Sequence, residues 1–137
     1  MPINLDIAVG ASGTASLMVT EEHTAARVGS GKIAVLATPV MINVIEAAAL
    51  MACEPHLPPG HQSLGTHLNI SHIAATPVGM AITARAVVTR VDGRKVLFDI
   101  EVHDSRDLIG NGTHQRVVVN VEKFDLRVQE KLALIKK

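Results

Sequence analysis

The chain lacks several residue types on which whole classes of protein depend. Among its 137 residues there is no Trp and no Tyr, and only two are Phe, so the aromatic platforms on which single-stranded nucleic acids stack are missing. Thirteen basic residues cancel thirteen acidic ones, which leaves no net positive charge to attract nucleic acid or an anionic membrane. We therefore expect neither kind of partner.

Cysteine and long apolar runs are equally scarce. The single cysteine, Cys53, cannot form an internal disulfide, and the first residues lack the basic region of a signal peptide. The most hydrophobic stretch, residues 33–53, is interrupted by a proline, an asparagine and a glutamate, which favours a protein core over a membrane span. Seven histidines show no ligand-like spacing. We expect one cytoplasmic domain over residues 1–137, without metal or cofactor.

The pattern that is present predicts an α+β fold. A helix is expected over residues 39–54, opened by Pro39 and ended by Pro55, and a second over residues 124–137. The remaining regular segments are rich in β-branched residues and read as strands over residues 14–20, 64–75, 80–91, 95–103 and 109–123. Asp92-Gly93 marks a hairpin between two of them. The predicted architecture is one long helix wrapped by an antiparallel sheet.

One carboxylate stands out within the long helix. Glu46 lies in a run, residues 40–53, whose only other polar side chain is Asn43, and a run that is hydrophobic all round predicts a buried helix. Burying a carboxylate is costly unless a partner compensates, and such groups concentrate at functional sites, although structural ion pairs produce them too. Glu46 is therefore a candidate catalytic residue.

Strand parity predicts which other side chains meet the helix. In residues 66–72, alternation places His72 on the helix side and His67 on the opposite side. In residues 113–121 alternating valines form the predicted apolar face, which puts Arg116 on the opposite, more polar side. We expect from this that Arg116 does not reach the core site of its own subunit.

Four motifs together resemble the hotdog-fold thioesterases related to fluoroacetyl-CoA thioesterase. They are Thr38-Pro-Val-Met-Ile-Asn-Val-Ile-Glu46, Ser63-Leu-Gly-Thr66, Ser71-His-Ile-Ala-Ala-Thr-Pro-Val-Gly79 and Ile109-Gly-Asn-Gly-Thr-His-Gln-Arg116. The resemblance covers roughly residues 14–130. It implies a hotdog fold, a homodimer or dimer of dimers, and hydrolysis of an acyl-CoA thioester.

The resemblance also implies roles for five residues of the chain. Thr38, Glu46 and His72 match the family's catalytic set, Gly65 matches its motif glycine, and Arg116 matches an arginine that we assign to substrate binding. Simpler roles exist for some of them, because Thr38 is a good N-cap, an inward histidine is often only a core residue, and a strand glycine often marks a bulge. A regular helix also separates Thr38 from Glu46 by roughly 12 Å along its axis.

Two other functions use the same fold and residues. An inward histidine and an acid can hydrate an enoyl thioester, and a protein of this fold can also bind acyl-CoA without turnover. The substrate is expected to differ from fluoroacetyl-CoA, since the stretch before the helix, residues 29–36, lacks the phenylalanines that fluoroacetyl-specific enzymes carry. Candidate cations for the phosphates of coenzyme A are Lys32, Arg94, Lys95 and Arg116.

Overall fold

A curled sheet of five antiparallel strands wraps one long helix in the computed structural model, which describes residues 5–135. The strands are β1 (Ser12–Met18), β2 (His61–His72), β3 (Ala81–Asp92), β4 (Lys95–His103) and β5 (Leu108–Asn120), and the helices are α1 (Ala25–Val28), α2 (Thr38–Cys53) and α3 (Val121–Ala133). The strand order is β1-β3-β4-β5-β2, so the strands on either side of α2 in the sequence form the two edges. The predicted α+β hotdog architecture is confirmed.

Helix α2 is the centre of the core. Its composition predicted a helix buried on all sides, but one side is exposed. It packs on β1 and β3, where Gly13 lets the strand approach the helix backbone more closely than any side chain would permit. Met41 and Ile45 are fully buried on that side, whereas Asn43 is exposed and Met51 is 61% exposed. Because small residues such as alanine lie on both sides of the helix, the sequence does not show which side is exposed.

Most elements are shifted from their predicted bounds by one to four residues, and two differences from the prediction have local reasons. Strand β5 was expected to continue to residue 123, but it ends at Asn120, whose side-chain oxygen accepts a hydrogen bond from the Lys123 amide at 3.0 Å and caps α3. The connection before α2 contains a short helix, α1, which ends at Gly29 with φ 86°. The last two residues of the predicted C-terminal helix lie outside the described residues.

The predicted orientation of β5 was wrong. His114 and Arg116 are 1% and 4% exposed, and Val118 is fully buried with them, while Val117 and Val119 lie on the half-exposed side. Alternating valines indicated the opposite side because β-branched residues occur on both faces of this strand. The inward positions accept polar residues since the charge of Arg116 is compensated by a carboxylate on α2.

A β-bulge in β2 determines which of its side chains face the helix. Gly65 pairs with Arg116 and His67 pairs with Gln115, which leaves Thr66 without a cross-strand partner. The extra residue reverses the alternation, because successive side chains otherwise point to opposite faces. Gly65, at an odd position, and His72, at an even one, therefore lie on the same face of the sheet.

Helix α3 rests on β5 and buries none of its residues. Its apolar positions have the predicted helical spacing, but Phe124 remains 37% exposed and Val128 44% exposed. Within residues 5–135, no helix combines the length and apolar character needed to cross a membrane.

Candidate active site

The carboxylate of Glu46 is held by a buried arginine. Arg116 Nη1 lies 3.3 Å from Glu46 Oε2, and the two side chains are 5% and 37% exposed. The other oxygen, Oε1, has no hydrogen-bond partner among residues 5–135. The arginine thus fixes one carboxylate oxygen and leaves the second without a hydrogen-bond partner among these residues.

Ser63 fixes the rest of the guanidinium. Arg116 Nε donates to Ser63 Oγ at 2.8 Å, and Nη2 donates to the Ser63 backbone oxygen at 3.1 Å. Ser63 in turn donates to Glu54 Oε2 through both its hydroxyl and its amide, at 2.9 and 3.0 Å. A chain of polar contacts thus runs from Glu46 through Arg116 and Ser63 to Glu54, with a carboxylate at each end. Each of the three guanidinium nitrogens has a hydrogen-bond partner in it.

His114 completes the surroundings of Arg116. Its Nε2 lies 3.2 Å from Arg116 Nη1, and its Nδ1 lies 2.9 Å from the backbone oxygen of His67. The ring packs against Phe98 with centroids 5.8 Å apart. Burial lowers the pKa of His114, and the positive charge of Arg116 adds to this effect, whereas the His67 carbonyl opposes it.

Gly65 provides the room in which the Glu46 carboxylate lies. A Cβ atom at Gly65 would stand 2.6 Å from Glu46 Oε2 and 3.1 Å from His114 Cε1, both closer than ordinary van der Waals contact. The need for a glycine is therefore steric at this position. It adds to the bulge-forming role that the sequence allowed.

The other two predicted residues, Thr38 and His72, form a separate pair. Thr38 Oγ1 lies 2.7 Å from His72 Nδ1, and no side-chain cap is made at the start of α2. The Nε2 atom of His72 is buried and has no hydrogen-bond partner among the described residues. Burial lowers the pKa of His72, although the Ala74 backbone acts in the opposite direction. The lowered pKa favours the neutral ring at pH 7.

The single chain keeps these two groups apart. Helix α2 is regular from Thr38 onward, so about 12 Å of axial rise separates Thr38 from Glu46, and an irregular helix start does not bring them together. Three concave regions of about 360 to 470 Å³ lie elsewhere on the surface of residues 5–135, and none is lined by Thr38, Glu46 or His72. A substrate that uses both groups has to extend between them, or a second subunit has to bring them together.

Two neighbouring observations limit the chemistry of the site. Burial raises the pKa of the Cys53 thiol, so this cysteine is a poor nucleophile at neutral pH. Among residues 5–135, no three His, Cys, Asp or Glu side chains are grouped closely enough to hold a metal ion.

Sequence reasoning missed Ser63, Glu54 and His114. Ser63 and His114 do lie within the motifs quoted above.

The chain is similar to a family of known proteins. The model of a family described as fluoroacetyl-CoA-specific thioesterase matches residues 19–122. The chain belongs to this family. A curated member, the fluoroacetyl-CoA thioesterase of Streptantibioticus cattleyicolor, is 42% identical over 97 residues, which cover 71% of this chain and 70% of that protein.

Solved structures of the family and of a wider superfamily share the fold. A fluoroacetyl-CoA thioesterase structure has a TM-score of 0.85 at 35% identity, with 91% of this chain and 97% of that chain covered. A mutant of that enzyme in complex with fluoroacetate and CoA has a TM-score of 0.81 at 35% identity, with 86% and 99% covered. A Thermus thermophilus protein of the thioesterase superfamily has a TM-score of 0.85 at 26% identity, with 93% and 97% covered.

Proposed function

We propose that Glu46, His72 and Thr38 carry out the hydrolysis of a small acyl-CoA thioester in this thioester hydrolase. Hydrolysis of acyl-CoA follows from membership of the family. The observation that supports Glu46 as the reacting group is its carboxylate, which Arg116 holds by one oxygen while the other has no hydrogen-bond partner among residues 5–135. A fixed carboxylate with a free oxygen suits a nucleophile or a general base.

The reaction needs one water and no other co-reactant. Glu46 Oε1 either attacks the thioester carbon, giving an anhydride that water then opens, or removes a proton from a water that attacks directly. In both cases a C–O bond forms, the C–S bond breaks with its electron pair on sulfur, and the thiolate takes up a proton. The products are the free acid and CoA. A thiol pKa of about 8.5 makes the sulfur an easy leaving group.

We assign His72 and Thr38 to the thioester carbonyl. A buried polar atom without a partner is costly unless a ligand or water meets it, and His72 Nε2 is such an atom. Its bond to Thr38 orients the ring, and in the tautomer that carries hydrogen on Nε2 it donates to the developing oxyanion. Gly65, whose missing side chain leaves room for Oε2 of Glu46, lets the carboxylate lie close against β2.

We further propose that the working unit is a dimer built on the edge strand β2. This strand of 12 residues has β5 on one side and no partner on the other within residues 5–135, and an unpaired edge of that length favours pairing. In an antiparallel pair of identical strands, the residue on the two-fold axis faces its own copy. If the axis passes through Asn69, residues that lie the same number of ladder steps before and after Asn69 face each other across the two strands. The bulge removes one step between Gly65 and Asn69, so Gly65 would lie near His72 of the partner subunit.

The dimer is tested by sedimentation and by crosslinking. Asn69→Cys in a Cys53→Ala background is expected to form an intermolecular disulfide, whereas Glu101→Cys on the exposed side of β4 is not. A monomer at micromolar concentration would remove the basis for a shared site, and absence of the Asn69 crosslink in a dimer would place the axis elsewhere.

The phosphates of CoA need a site other than Arg116, because that side chain is buried and its donors contact Glu46, His114 and Ser63. Of the remaining candidates, Arg94 lines a groove of about 360 Å³ together with Lys123, Arg127 and the exposed edge of Phe124. We place the CoA nucleotide there, since this lining has three cations and no carboxylate.

The groove assignment is tested by comparing two substrates. Arg94→Ala is expected to raise KM for CoA esters but not for pantetheine thioesters, and the difference should shrink at high salt because phosphate contacts are screened. Lys131→Ala, also exposed but outside the groove, is the control. Equal losses on both thioesters would exclude phosphate binding by Arg94.

The central experiment is a thiol-release screen over acyl-CoA lengths with wild-type protein and Glu46→Gln. The amide is nearly the same size and cannot act as nucleophile or base, so kcat should fall about 10²-fold or more, with Glu101→Gln as the exposed control. Wild-type turnover in Glu46→Gln would refute the role of Glu46. Formation of a 3-hydroxyacyl product from crotonyl-CoA, without thiol, would identify a hydratase instead. The acyl group, the cytoplasmic location and the absence of a cofactor stay predictions.

A further inference from the structure

We infer that His114 is a positioning residue that holds Arg116 against Glu46 only while its own ring is neutral, so that protonation of His114 disorganises the carboxylate. The inference rests on the proposed role of Glu46. It concerns a residue that was not among the predicted site residues and that acts on the carboxylate through Arg116.

The tautomer of His114 follows from its two partners. Nδ1 lies 2.9 Å from the His67 backbone oxygen, which can only accept, so Nδ1 carries the hydrogen. Nε2 lies 3.2 Å from Arg116 Nη1, which can only donate, so Nε2 must offer its lone pair. Both contacts are satisfied together by the neutral ring with hydrogen on Nδ1, and by no other protonation state.

The ring has little freedom to escape this arrangement. His114 is 1% exposed and is stacked on Phe98, with an interplanar angle of 25°. A protonated ring would direct an N–H group at the guanidinium from 3.2 Å, in buried surroundings that screen the two positive charges only weakly. Either the ring or the arginine would then have to move.

Arg116 transmits such a movement to the carboxylate. The same nitrogen, Nη1, contacts both His114 Nε2 and Glu46 Oε2. Because Nη1 has two hydrogens, it can donate one hydrogen bond to the neutral histidine and another to the carboxylate. Ser63 fixes the remaining edge of the guanidinium, so displacement at Nη1 is felt mainly at Glu46.

The charged groups that face His114 come from two other elements besides its own strand. The backbone carbonyl of His67 on β2 and the carboxylate of Glu46 on α2 favour the cationic ring, whereas Arg116 on β5 and the side chain of His67 disfavour it, and Phe98 on β4 is neutral. Burial is the largest influence, and together these effects lower the pKa of His114. The site is therefore intact at neutral pH and is lost as the pH falls through this lowered pKa.

Two substitutions separate positioning from a structural role. His114→Gln retains an acceptor for Arg116 but cannot titrate, so kcat at pH 7 should stay within several-fold of wild type and the loss of kcat at acidic pH should become shallower. His114→Phe keeps the ring stacked on Phe98 but removes the acceptor, so kcat should fall about 10-fold or more with KM little changed. An acidic profile unchanged in His114→Gln would overturn the inference.

A measurement without substrate keeps the test independent of turnover. In wild-type protein, ¹⁵N NMR should show His114 Nε2 unprotonated and Nδ1 protonated at pH 7, and the Arg116 Nε–H signal should broaden when His114 titrates. A ring protonated at Nε2 at pH 7 would overturn the inference even if His114→Phe fails to fold. If these signals are observed but wild type releases no thiol from any acyl-CoA, the proposed function fails while the state assigned to His114 stands.

Discussion

Replacing Gly65 by alanine should inactivate the enzyme through a single misplaced carboxylate. The added Cβ would lie 2.6 Å from Glu46 Oε2, against about 3.4 Å for ordinary contact, so the carboxylate must retreat by about 0.8 Å. The bond between Glu46 and Arg116 is already 3.3 Å long and would weaken further. A displacement near 1 Å at a reacting group typically costs about 10²-fold in rate, which is the loss of kcat that we expect.

The same clash predicts an energetic coupling between the two residues. Gly65 does not have the positive φ that would strain an alanine. The loss of stability expected for Gly65→Ala, roughly 1 to 3 kcal/mol for overpacking, therefore arises from the contact with Glu46 and a smaller one with His114. In a Glu46→Ala background most of that cost should vanish. Thiol release and urea unfolding of the four proteins in this cycle measure both quantities. An active Gly65→Ala enzyme, or equal costs in both backgrounds, would refute the steric argument.

Three further changes test other parts of the site. Thr38→Val removes the hydroxyl bound to His72 and should lower kcat about 10-fold, a loss that Thr38→Ser restores if the hydroxyl is what matters. Arg116→Lys keeps the charge but loses the fork of contacts to Ser63, and should cost about 2 to 4 kcal/mol in urea unfolding; full stability would show that the fork is dispensable. Stability should fall as the pH drops below about 6.5, because the pKa values of His72 and His114 are lowered in the folded state and unfolding then takes up protons. The slope is at most roughly 1.4 kcal/mol per pH unit for each histidine, and a stability independent of pH from 7 to 5 would contradict it.

Features set by local composition could be predicted from the sequence. Strand β4 was expected over 95–103 and is found there, because the Asp92-Gly93 turn fixes its start relative to β3. Glu46 was recognised because a carboxylate in an apolar run has few explanations other than a partner or a reaction. Such signals are contained within one segment, so no knowledge of the neighbouring elements is needed.

Features set by distant partners could not be predicted in the same way. Arg116 and Glu46 are 70 residues apart in the chain, and without knowledge of that contact an arginine among valines is reasonably placed on the polar side of a strand. Ser63 and His114 both contact Arg116, and that contact could not be inferred from their own segments, although both residues lie within the motifs that carry the resemblance. The separation of Thr38 from Glu46 was predicted correctly from helix geometry, and it remains the strongest reason to test for a second subunit.

The bulge at Thr66 makes the site sensitive to the length of β2 as well as to its composition. Deleting Thr66 would remove the bulge but keep the pairing of the rest of the strand, so that with Gly65 held opposite Arg116 the side chain at the His72 position would still face Thr38. Inserting one paired residue between Gly65 and His72 while the single bulge is kept would instead turn that side chain to the opposite face. Relatives that keep every site residue and the single bulge but carry one more paired residue between the glycine and the histidine are therefore expected to contain the catalytic set without assembling it.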